Sequence, residues 1–575
     1  MSKATTIFGR FEEVVGLYPK NAALGCKEDE HFKTISYSRL LEKINRLATG
    51  LKSIGIKQGD KVAIFSKNRP EWVKLDLALN KIGAVSVPIH TSLSPKLIKH
   101  IINDSGTEYL AIGDLFSKYQ EIKNEVSLKK IITFNKIEWQ ENLIYFDDLF
   151  KGEEDTVEPV QSDFCTIIYT SGTTGNPKGV MLTDENFISN IDAALKYVPY
   201  TSKDIFLSFL PLSHVLERTG GYYSVLFNGG SIYFSSYQSI AEDIKKVKPT
   251  IMVSVPRIFE KVYDKVMDKI RIESRFKQKL FFKSLYISRA YLNSKKEGSA
   301  FKPVLKISHY LADRLVLSKV RQNLGGRLKF SISGGSALNP SVAKFFEAIG
   351  IIILEGYGLT ETSPIISVNP MVEYKFGTVG KVLPAVQVKI GEDKEVLVKG
   401  NNVMKGYYNN DVATKESFSD DGWFKTGDLG HLDDKGYLTI IGRKKEMLIT
   451  STGKNVNPEN LENALQESKY INQSMVIGEK QKFLSALIVP DFAELKIYAK
   501  DNNIDLELFE LLKHQQIIDL IELELKIQLK DFPDNEQVKK FILLDKELSE
   551  ERDELTPTLK LRREKILMNY KGLLD

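Results

Sequence analysis

Residues 163–183 read DFCTIIYTSGTTGNPKGVMLT, a short apolar segment followed at once by glycines and hydroxyl residues. The segment 163–170 has the length and composition of a buried β-strand. The next nine residues hold three glycines, which let the backbone turn tightly and aim its N–H groups at an anion, and Lys178 adds a positive charge. This is not the P-loop GxxxxGK(S/T), because Lys178 follows Pro177 and precedes Gly179. The stretch predicts a strand, a polyphosphate-binding loop and then the start of a helix at VMLTDENF; a surface loop without a ligand is the alternative.

Upstream of this stretch, residues 61–113 alternate between strand and helix patterns. KVAIFS (61–66), AVSVPI (84–89) and YLAIG (109–113) have the composition of short buried strands. PEWVKLDLALNKIG lies between the first two, SPKLIKHIINDSG lies between the second and third, and both are typical of helices. This rhythm predicts an α/β fold with a largely parallel sheet, helices on both faces and ligands at the carboxyl ends of the strands.

Length and composition exclude several classes of protein. The chain has 575 residues, about four times a typical domain, of which 42% are hydrophobic and 27% charged. Several packed units are expected, not a peptide, a disulfide scaffold or a disordered chain. Cys26 and Cys165 form no CxxC pair, which favours a reducing compartment. No apolar run approaches the about 18 to 20 residues that span a bilayer, and the N-terminal segment has no continuous apolar core, so we expect an unprocessed cytoplasmic protein.

Positive charge is concentrated in residues 261–327, which have a helical pattern. They hold 17 Lys and Arg against 5 Asp and Glu, a net charge of +12, whereas the whole chain carries +5. Apolar residues interleave with the charges in FKQKLFFKSLYISRAYL, as in an amphipathic surface attracted to anionic headgroups; a solvated helical face is the alternative. No motif for reading nucleic acid accompanies the charge, so we expect no nucleic-acid partner. Near residue 446 the pattern changes, which predicts domains at 1–445 and 446–575.

The string YTSGTTGNPKGVMLT (169–183) resembles the phosphate-binding signature of the adenylate-forming, or AMP-binding, superfamily, which includes acyl-CoA synthetases, firefly luciferase and peptide-synthetase adenylation domains. Six further motifs of that superfamily follow in the same order: FLPLSHVLER (209–218), SGGSAL (333–338), EGYGLTET (355–362), DGWFKTGDLG (421–430), GRKKE (442–446) and LTPTLKLRR (555–563). The resemblance covers nearly the entire chain. It implies a large N-terminal multi-sheet α/β domain and a small mobile C-terminal α+β domain that rotates about a hinge at Lys445.

The resemblance also implies a set of ATP-binding residues. Glycines and hydroxyls would surround the phosphates, an aromatic face would lie on adenine, and Asp428 would accept hydrogen bonds from two ribose hydroxyls while Arg443 adds a fork of donors. The residues of this set are Ser171, Gly172, Thr173, Thr174, Gly175 and Lys178 at the phosphates, Gly334, Gly335, Ser336 and Tyr357 at the base, Asp428 and Arg443 at the ribose, and Gly358 and Thr360 as further cofactor-binding residues.

Metal-binding and catalytic roles follow from the same resemblance. A carboxylate stands near phosphates only when a cation lies between them, so Glu361 and Thr170 are the expected Mg²⁺ ligands. His214 matches the family histidine beside the acyl carboxylate. Lys560 is similar to the near-terminal lysine that bridges carboxylate and α-phosphate, where a cation compensates the approach of two anions. Lys178, His214 and Lys560 are therefore the expected catalytic residues.

The implied reaction has two steps. A carboxylate attacks the α-phosphorus of MgATP to give acyl-AMP and pyrophosphate, and coenzyme A then displaces AMP. Gly453, in STGKNVNP, is compact enough to border the pantetheine channel. The LSHVLERTGG segment, the basic helical insertion and the LTPTLKLRR ending resemble long-chain fatty acyl-CoA synthetases. Two alternatives stay open, a fatty acyl-AMP ligase that passes the acyl group to a carrier protein and an inactive fatty-acid-binding or uptake protein, and the oligomeric state is open as well.

Overall fold

The structure is a computed structural model, and it describes residues 4–29, 31–137, 142–151, 158–170, 177–296, 303–451, 455–479, 481–549, 551–556 and 560–574. The chain divides into two compact units. The larger unit comprises Met1–Lys389, Leu397–Lys425 and Leu432–Thr439, and the smaller unit comprises Ile390–Val396, Thr426–His431 and Ile440–Asp575.

The strands of the described residues are, in chain order, β1 (Ala22–Glu28), β2 (His31–Ser36), β3 (Lys61–Phe65), β4 (Val85–Pro88), β5 (Tyr109–Ile112), β6 (Lys130–Thr133), β7 (Leu143–Tyr145), β8 (Thr166–Thr170), β9 (Lys178–Leu182), β10 (Ile205–Ser208), β11 (Ser231–Phe234), β12 (Ile251–Ser254), β13 (Phe330–Ser333), β14 (Ile352–Gly358), β15 (Ile365–Val368), β16 (Lys381–Val382), β17 (Gln387–Ile390), β18 (Glu395–Lys399), β19 (Gly406–Tyr407), β20 (Phe424–Leu432), β21 (Leu438–Arg443), β22 (Leu448–Ile449), β23 (Asn455–Val456), β24 (Ile471–Ile477), β25 (Leu484–Pro490) and β26 (Val538–Leu543).

The α-helices of the described residues are, in chain order, α1 (Ile7–Leu17), α2 (Tyr37–Ser53), α3 (Pro70–Lys81), α4 (Pro95–Ser105), α5 (Phe116–Gln120), α6 (Asp184–Ala194), α7 (Ser224–Leu226), α8 (Ile240–Val247), α9 (Pro256–Arg271), α10 (Arg275–Lys296), α11 (Pro303–Ala312), α12 (Ser318–Gln322), α13 (Pro340–Ala348), α14 (Asp411–Glu416), α15 (Pro458–Leu465), α16 (Phe492–Asp501), α17 (Leu508–Leu511), α18 (Gln515–Gln528), α19 (Arg563–Asn569) and α20 (Lys571–Leu574).

Two large sheets organise the larger unit. In the described residues one sheet has nine strands in the order β16-β15-β14-β13-β12-β10-β11-β1-β2, and the other has eight in the order β19-β9-β8-β4-β3-β5-β6-β7. The remaining strands form a four-stranded sheet, β17-β18-β20-β21, a three-stranded sheet, β24-β25-β26, and the pair β22-β23. The α/β fold class with several sheets is thus confirmed.

The alternation predicted for residues 61–113 is confirmed element by element. The order is β3, α3, β4, α4, β5, and β3 pairs in parallel with both β4 and β5. Helix α4 begins with Pro95 because a fixed φ suits the first helical turn, and it ends at Gly106, which adopts a left-handed conformation at φ 65°. These parallel strands place their carboxyl ends at one edge of the sheet.

The segment after the predicted phosphate loop differs from the prediction of an immediate helix. Residues Lys178–Leu182 form β9, antiparallel to β8, and α6 begins only at Asp184. Val180 and Leu182 are buried on the core side of this strand, so its apolar residues stabilise a strand rather than a helical turn. The Thr183 hydroxyl then accepts from the Asn186 N–H at 3.1 Å and caps α6, which fixes the helix start.

A buried ion pair lies in the core of the larger unit. The Asp76 and Arg218 side chains are both 0% exposed, and Arg218 Nη2 donates to Asp76 Oδ1. Arg218 also donates to the hydroxyls of Thr166 and Ser86, each at 2.9 Å, and the Tyr223 hydroxyl donates to Asp76 Oδ2 at 2.7 Å. Because each charge has several partners, the network joins α3, β4 and β8 to the segment that follows the His214 motif.

The neighbouring Glu217 begins a π-helical segment, Glu217–Tyr223, and is also fully buried. Its Oε1 accepts from the Ser208 hydroxyl at 2.5 Å, whereas Oε2 has no hydrogen-bond partner. Burial raises the pKa of Glu217 to about 8. Burial therefore favours the neutral form of this carboxyl group.

The described residues of the basic segment 261–327 are mainly helical, as predicted, and extend from within α9 through α12. Apolar side chains on these helices are unusually open to solvent. The exposed ones are Ile272, Phe276, Leu280, Phe282, Tyr286, Val304, Ile307, Tyr310, Leu311 and Leu315. Within the described part of the chain, none of the helices combines the length and hydropathy that a membrane span requires.

The smaller unit has its own core. Strands β24 and β25 pair antiparallel, β26 joins β25 in parallel, and α15 and α18 contribute buried side chains such as Leu461, Leu465 and Ile521. Arg563 donates to the buried Glu462 at 2.6 Å, which joins the start of α19 to α15. The sequence analysis did not locate the late strand β26.

Candidate active site

The hairpin of β8 and β9 presents two predicted site residues opposite each other. Thr170 and Lys178 are register partners at the end of the hairpin where the chain passes from β8 to β9, and Thr170 is half-buried whereas Lys178 is exposed. The chain between them, 171–176, lies outside the described residues. The predictions for Ser171, Gly172, Thr173, Thr174 and Gly175 therefore have no structural description.

Glu361 lies beside this hairpin. Its Oε1 accepts from the Tyr407 hydroxyl at 2.8 Å, and the Lys178 ammonium lies 5.1 Å from the centre of the Tyr407 ring. Its backbone carbonyl accepts from Met404 N at 2.8 Å, which fixes the Glu361 segment to the chain leading into β19. The structure thus brings Glu361 to the hydroxyl and Lys178 to the ring of Tyr407, a residue that the sequence analysis missed.

The glycine motif before Glu361 packs against its own continuation. A Cβ atom added at Gly358 would lie 1.7 Å from the Pro364 carbonyl oxygen, so a larger residue cannot occupy this position without a backbone shift. Leu359 N donates to the Pro364 carbonyl at 3.1 Å and closes the turn that carries Thr360 and Glu361. Tyr357, at the end of β14, is half-buried.

Several predicted residues follow the carboxyl ends of neighbouring parallel strands, as expected for ligand sites in such sheets. Gly334, Gly335 and Ser336 follow β13, which pairs in parallel with β14. Gly334 is buried, with its Cβ direction 3.7 Å from the Gly356 carbonyl, whereas Gly335 and Ser336 are exposed. Gly335 and Ser336 are therefore exposed just after β13, the parallel neighbour of the strand that carries Tyr357.

His214 lies in the segment after β10 and is half-buried. His90, two residues after β4, is close enough for His214 to lower its pKa, although burial is the larger cause; together they lower it to about 3. His90 Nδ1 is 3.0 Å from the Ser92 hydroxyl, and its buried Nε2 has no partner. The sequence analysis missed His90, whose only signal was its position after a buried strand.

The smaller unit brings together three predicted residues. Asp428 is 6% exposed, and its Oδ1 accepts from Arg443 Nε at 3.0 Å. Although Lys560 is exposed as a residue, loss of hydration around its ammonium and then the positive charge of Arg443 lower its pKa, while the carboxylates of Glu459 and Asp428 oppose that change. The ammonium of Lys560 therefore shares its surroundings with the Asp428–Arg443 pair.

Two further predicted residues belong to the smaller unit. Lys445 is exposed in the short turn Lys444–Glu446, next to Lys444, which binds Glu395 at 3.1 Å. Gly453 lies outside the described residues.

No cluster of three or more His, Cys, Asp or Glu side chains suited to a metal occurs in the described ranges. A metal ion bound by a single carboxylate, such as that of Glu361, would need further ligands from hydroxyl oxygens or from a substrate's phosphates. These oxygen donors suit Mg²⁺.

These features define an enzyme of the AMP-binding class, and comparison with family models agrees. Residues 11–408 match the AMP-binding enzyme family, and residues 445–571 match the AMP-binding enzyme C-terminal domain. The chain belongs to this family.

Particular relatives refine the assignment. The chain is 33% identical over 556 residues to the long-chain-fatty-acid–CoA ligase FadD15 of Mycobacterium bovis, covering 93% of this chain and 91% of the relative. It is 30% identical to the long-chain-fatty-acid–[acyl-carrier-protein] ligase AEE15 of Arabidopsis thaliana, covering 94% and 82%. Among solved structures it is similar to the anthranilate CoA ligase AuaEII in complex with anthranoyl-AMP, with a TM-score of 0.76, 19% identity and coverage of 99% and 98%.

Proposed function

We propose that the chain converts a long-chain fatty acid to its coenzyme A thioester, with ATP providing the leaving group. The carboxylate attacks the α-phosphorus of MgATP, which forms acyl-AMP and releases pyrophosphate. The thiol of coenzyme A then attacks the acyl carbonyl, and AMP departs. The observation that carries this proposal is the similarity to a long-chain-fatty-acid–CoA ligase across 93% of the chain.

In this proposal the β8–β9 hairpin holds the phosphates. Lys178 and the residues Ser171, Gly172, Thr173, Thr174 and Gly175 bind phosphate oxygens, while Glu361 and Thr170 hold Mg²⁺. The donor set fits the ion, because carboxylate and hydroxyl oxygens are hard ligands and the phosphates supply more. When bound, Mg²⁺ neutralises charge on the phosphates.

Adenine and ribose are assigned to separate groups of residues. Tyr357 stacks on adenine, with Gly334, Gly335, Ser336, Gly358 and Thr360 around the base. Asp428 accepts from the ribose hydroxyls, and Arg443 holds the Asp428 carboxylate in place through the bond at 3.0 Å. A carboxylate with one oxygen bonded to a guanidinium keeps acceptor capacity for the sugar.

Roles in the adenylation step are assigned to His214 and Lys560. His214 orients the fatty carboxylate, and Lys560 compensates the charge of carboxylate and α-phosphate as they approach. We further propose domains at 1–445 and 446–575, a hinge at Lys445 and a role for Gly453 beside the pantetheine of coenzyme A.

The test is direct. Purified protein is incubated with MgATP, coenzyme A and equimolar saturated acids from acetate to stearate plus one aryl acid, and every thioester is measured by mass spectrometry. Long-chain thioesters in excess support the proposal. Thioesters from acetate or the aryl acid alone contradict the substrate class, and no adenylate or thioester from any acid points to an inactive binding protein.

A second acceptor is favoured by one observation, the 30% identity to an acyl-carrier-protein ligase over 94% of the chain. The same incubation with holo-acyl carrier protein in place of coenzyme A separates the two. If acyl carrier protein is acylated faster than coenzyme A, the proposed coenzyme A ligase function is replaced by that of a carrier-protein ligase.

We propose in addition that α10 and α11 contact anionic membranes transiently and that the protein is cytoplasmic, where its free Cys26 and Cys165 stay reduced. Phe276 is 75% exposed, Tyr286 74% and Val304 75%, among the lysines of a segment with net charge +12. Exposed aromatic and aliphatic side chains enter the headgroup region, and lysines bind anionic lipid, so the two features reinforce each other.

Vesicle sedimentation tests this contact. The triple variant Lys277→Gln, Lys279→Gln, Lys283→Gln is compared with a control that neutralises Lys496, Lys500 and Lys526, which are equally exposed in the smaller unit. We expect the first variant to lose binding to phosphatidylserine vesicles and the control to retain it. Equal binding by both variants would contradict the proposal.

A further inference from the structure

Tyr407 touches two residues to which the proposed function assigns different tasks. Its hydroxyl donates to Glu361 Oε1 at 2.8 Å, and the Lys178 ammonium lies 5.1 Å from its ring centre. We propose that Tyr407 is a positioning residue that orients the Glu361 carboxylate for the metal ion through its hydroxyl and the Lys178 ammonium for the phosphates through its ring. This inference rests on the proposed function.

The backbone of Tyr407 is held at three points. Strand β19 pairs antiparallel with β9, with Tyr407 opposite Val180. Tyr407 N donates to the Thr414 hydroxyl at 2.9 Å, and the next residue, Tyr408, donates through its N–H to the Gly179 carbonyl at 2.7 Å. A side chain on such a fixed backbone, only 8% exposed, has little freedom to leave its place.

The preceding residue, Gly406, makes this approach possible. It adopts φ 149°, and a Cβ atom there would lie 2.9 Å from the Thr414 methyl carbon. Any larger side chain would push β19 away from α14 and loosen the hydrogen bond from Tyr407 N to Thr414. The position of the phenol is thus set by the fold around it and not by Glu361 alone.

The hydroxyl of Tyr407 suits a carboxylate that binds a metal. A neutral donor fixes the rotation of the carboxylate without cancelling its charge, as a lysine or arginine would. The bond engages Oε1, and a carboxylate has a second oxygen with which it can bind an ion. Groups that orient metal ligands in this way typically change metal affinity by about 10- to 100-fold when removed.

The ring of Tyr407 suits Lys178 for a different reason. A lysine ammonium on four rotatable bonds has many conformations, and an aromatic face beneath it favours a few of them. Val180 lies opposite Tyr407 in the β9–β19 pair, and Lys178 is two residues before it, so Lys178 lies diagonally across from the ring on the same face of the sheet. One phenol therefore serves both groups, and substitutions can separate its two parts.

Three variants separate them: Tyr407→Phe removes only the hydroxyl, Tyr407→Leu removes the hydroxyl and the aromatic face, and Tyr408→Phe is the matched control. The readout is ATP binding by titration calorimetry at a series of Mg²⁺ concentrations, followed by Mn²⁺ binding by electron paramagnetic resonance in the presence of ATP. Thermal melting verifies that each variant is folded.

We expect Tyr407→Phe to require at least 10-fold more Mg²⁺ for half-maximal ATP binding, with near-normal ATP affinity once Mg²⁺ is saturating. Tyr407→Leu should add a loss of ATP affinity that saturating Mg²⁺ does not restore. Tyr408→Phe should stay within twofold of the natural protein. In a Glu361→Gln background, Tyr407→Phe should change the Mg²⁺ requirement no further.

If Tyr407→Phe and Tyr408→Phe need the same Mg²⁺ concentration for ATP binding, and the natural protein binds MgATP normally, the inference is overturned and the proposed function stays intact. An equal further loss from Tyr407→Phe in the Glu361→Gln background would also overturn it, because the hydroxyl would then act elsewhere. A natural protein that binds no MgATP would overturn the proposed function and the inference together.

Discussion

Arg443 Nε donates to Asp428 Oδ1 across 3.0 Å within the smaller unit, and Asp428 is only 6% exposed. The Lys560 ammonium responds to both charges, because Arg443 lowers its pKa and Asp428 raises it. One ion pair therefore influences the protonation of the residue to which we assign charge compensation during adenylation.

The first prediction concerns the alkaline limb of adenylation. Lys560 must be protonated to compensate anionic charge, and its pKa lies below the ordinary value of 10.5 because of lost hydration and Arg443. The kcat of ATP–pyrophosphate exchange should thus fall as pH rises through that lowered pKa. Arg443→Gln removes a repulsive charge, so the limb should move to higher pH at saturating ATP.

The matched control for this prediction is Arg562→Gln. Arg562 lies in the same basic cluster, but its guanidinium pairs with Asp553 and is not among the main charges that shift Lys560. Superimposable pH profiles for the Arg443 and Arg562 variants would refute the assignment, as would a Lys560→Gln variant with unchanged exchange.

The second prediction concerns Glu217 and stability. Its pKa is about 8 in the folded protein and near 4.5 when exposed, so between these values the folded state holds a proton that the unfolded state releases. Stability attributable to Glu217 is therefore lost as pH rises, by at most about 1.4 kcal/mol per pH unit. The unfolding free energy of Glu217→Gln minus that of the natural protein should therefore increase from pH 5 to 8.

Urea denaturation at several pH values measures that difference. The control is Glu242→Gln, because Glu242 is exposed in α8. If the difference in unfolding free energy between Glu217→Gln and the natural protein stays constant over this pH range, the buried carboxyl is already ionised.

The third prediction concerns the Asp76–Arg218 pair. Both side chains are fully buried, so Asp76→Asn leaves a guanidinium without its counter-charge and should cost about 3 to 5 kcal/mol of unfolding free energy. Replacing both residues, as in Asp76→Leu with Arg218→Met, should cost less than the single change. Denaturant unfolding checks both, and a loss below 1 kcal/mol for Asp76→Asn would mean that water reaches the pair.

The fourth prediction concerns Gly358. Its Cβ direction points at the Pro364 carbonyl oxygen, 1.7 Å away, so Gly358→Ala must displace the turn that carries Glu361. We expect at least a tenfold loss of MgATP affinity by calorimetry. Gly16→Ala is the control, since nothing lies within 4 Å of its Cβ direction, and it should bind MgATP normally. Equal affinity in the two variants would place Gly358 outside the nucleotide site.

Local pattern was sufficient for the parallel part of the fold. Between residues 61 and 113, apolar runs, Pro95 and Gly106 carry their own physical constraints, so the elements could be located from the sequence. The strand β9 could not, because VML suits a strand or a helix, and pairing with β8 decides between them. Such pairing depends on residues already folded nearby.

The candidate site divides in the same way. The motifs that contain Glu361, Lys178 and Asp428 can be recognised from the sequence alone. Tyr407 and His90 become informative only through neighbours remote in the chain: Glu361 precedes Tyr407 by 46 positions, and His214 acts on His90 from another sheet. A tyrosine after a glycine is too common a pair to indicate such a role.

The separation of Asp76 from Arg218 has a consequence for synthesis on the ribosome. When the chain has been made as far as Leu182, strands β3 to β9 are present. Arg218, the counter-charge of Asp76, lies 142 positions after Asp76 and has not yet been translated. Burying a lone carboxylate costs several kcal/mol, so close packing of the nascent sheet against α3 is disfavoured at that stage. We expect this packing to be completed after Arg218 has left the exit tunnel, with the apolar surface of the half-made sheet accessible to chaperones until then.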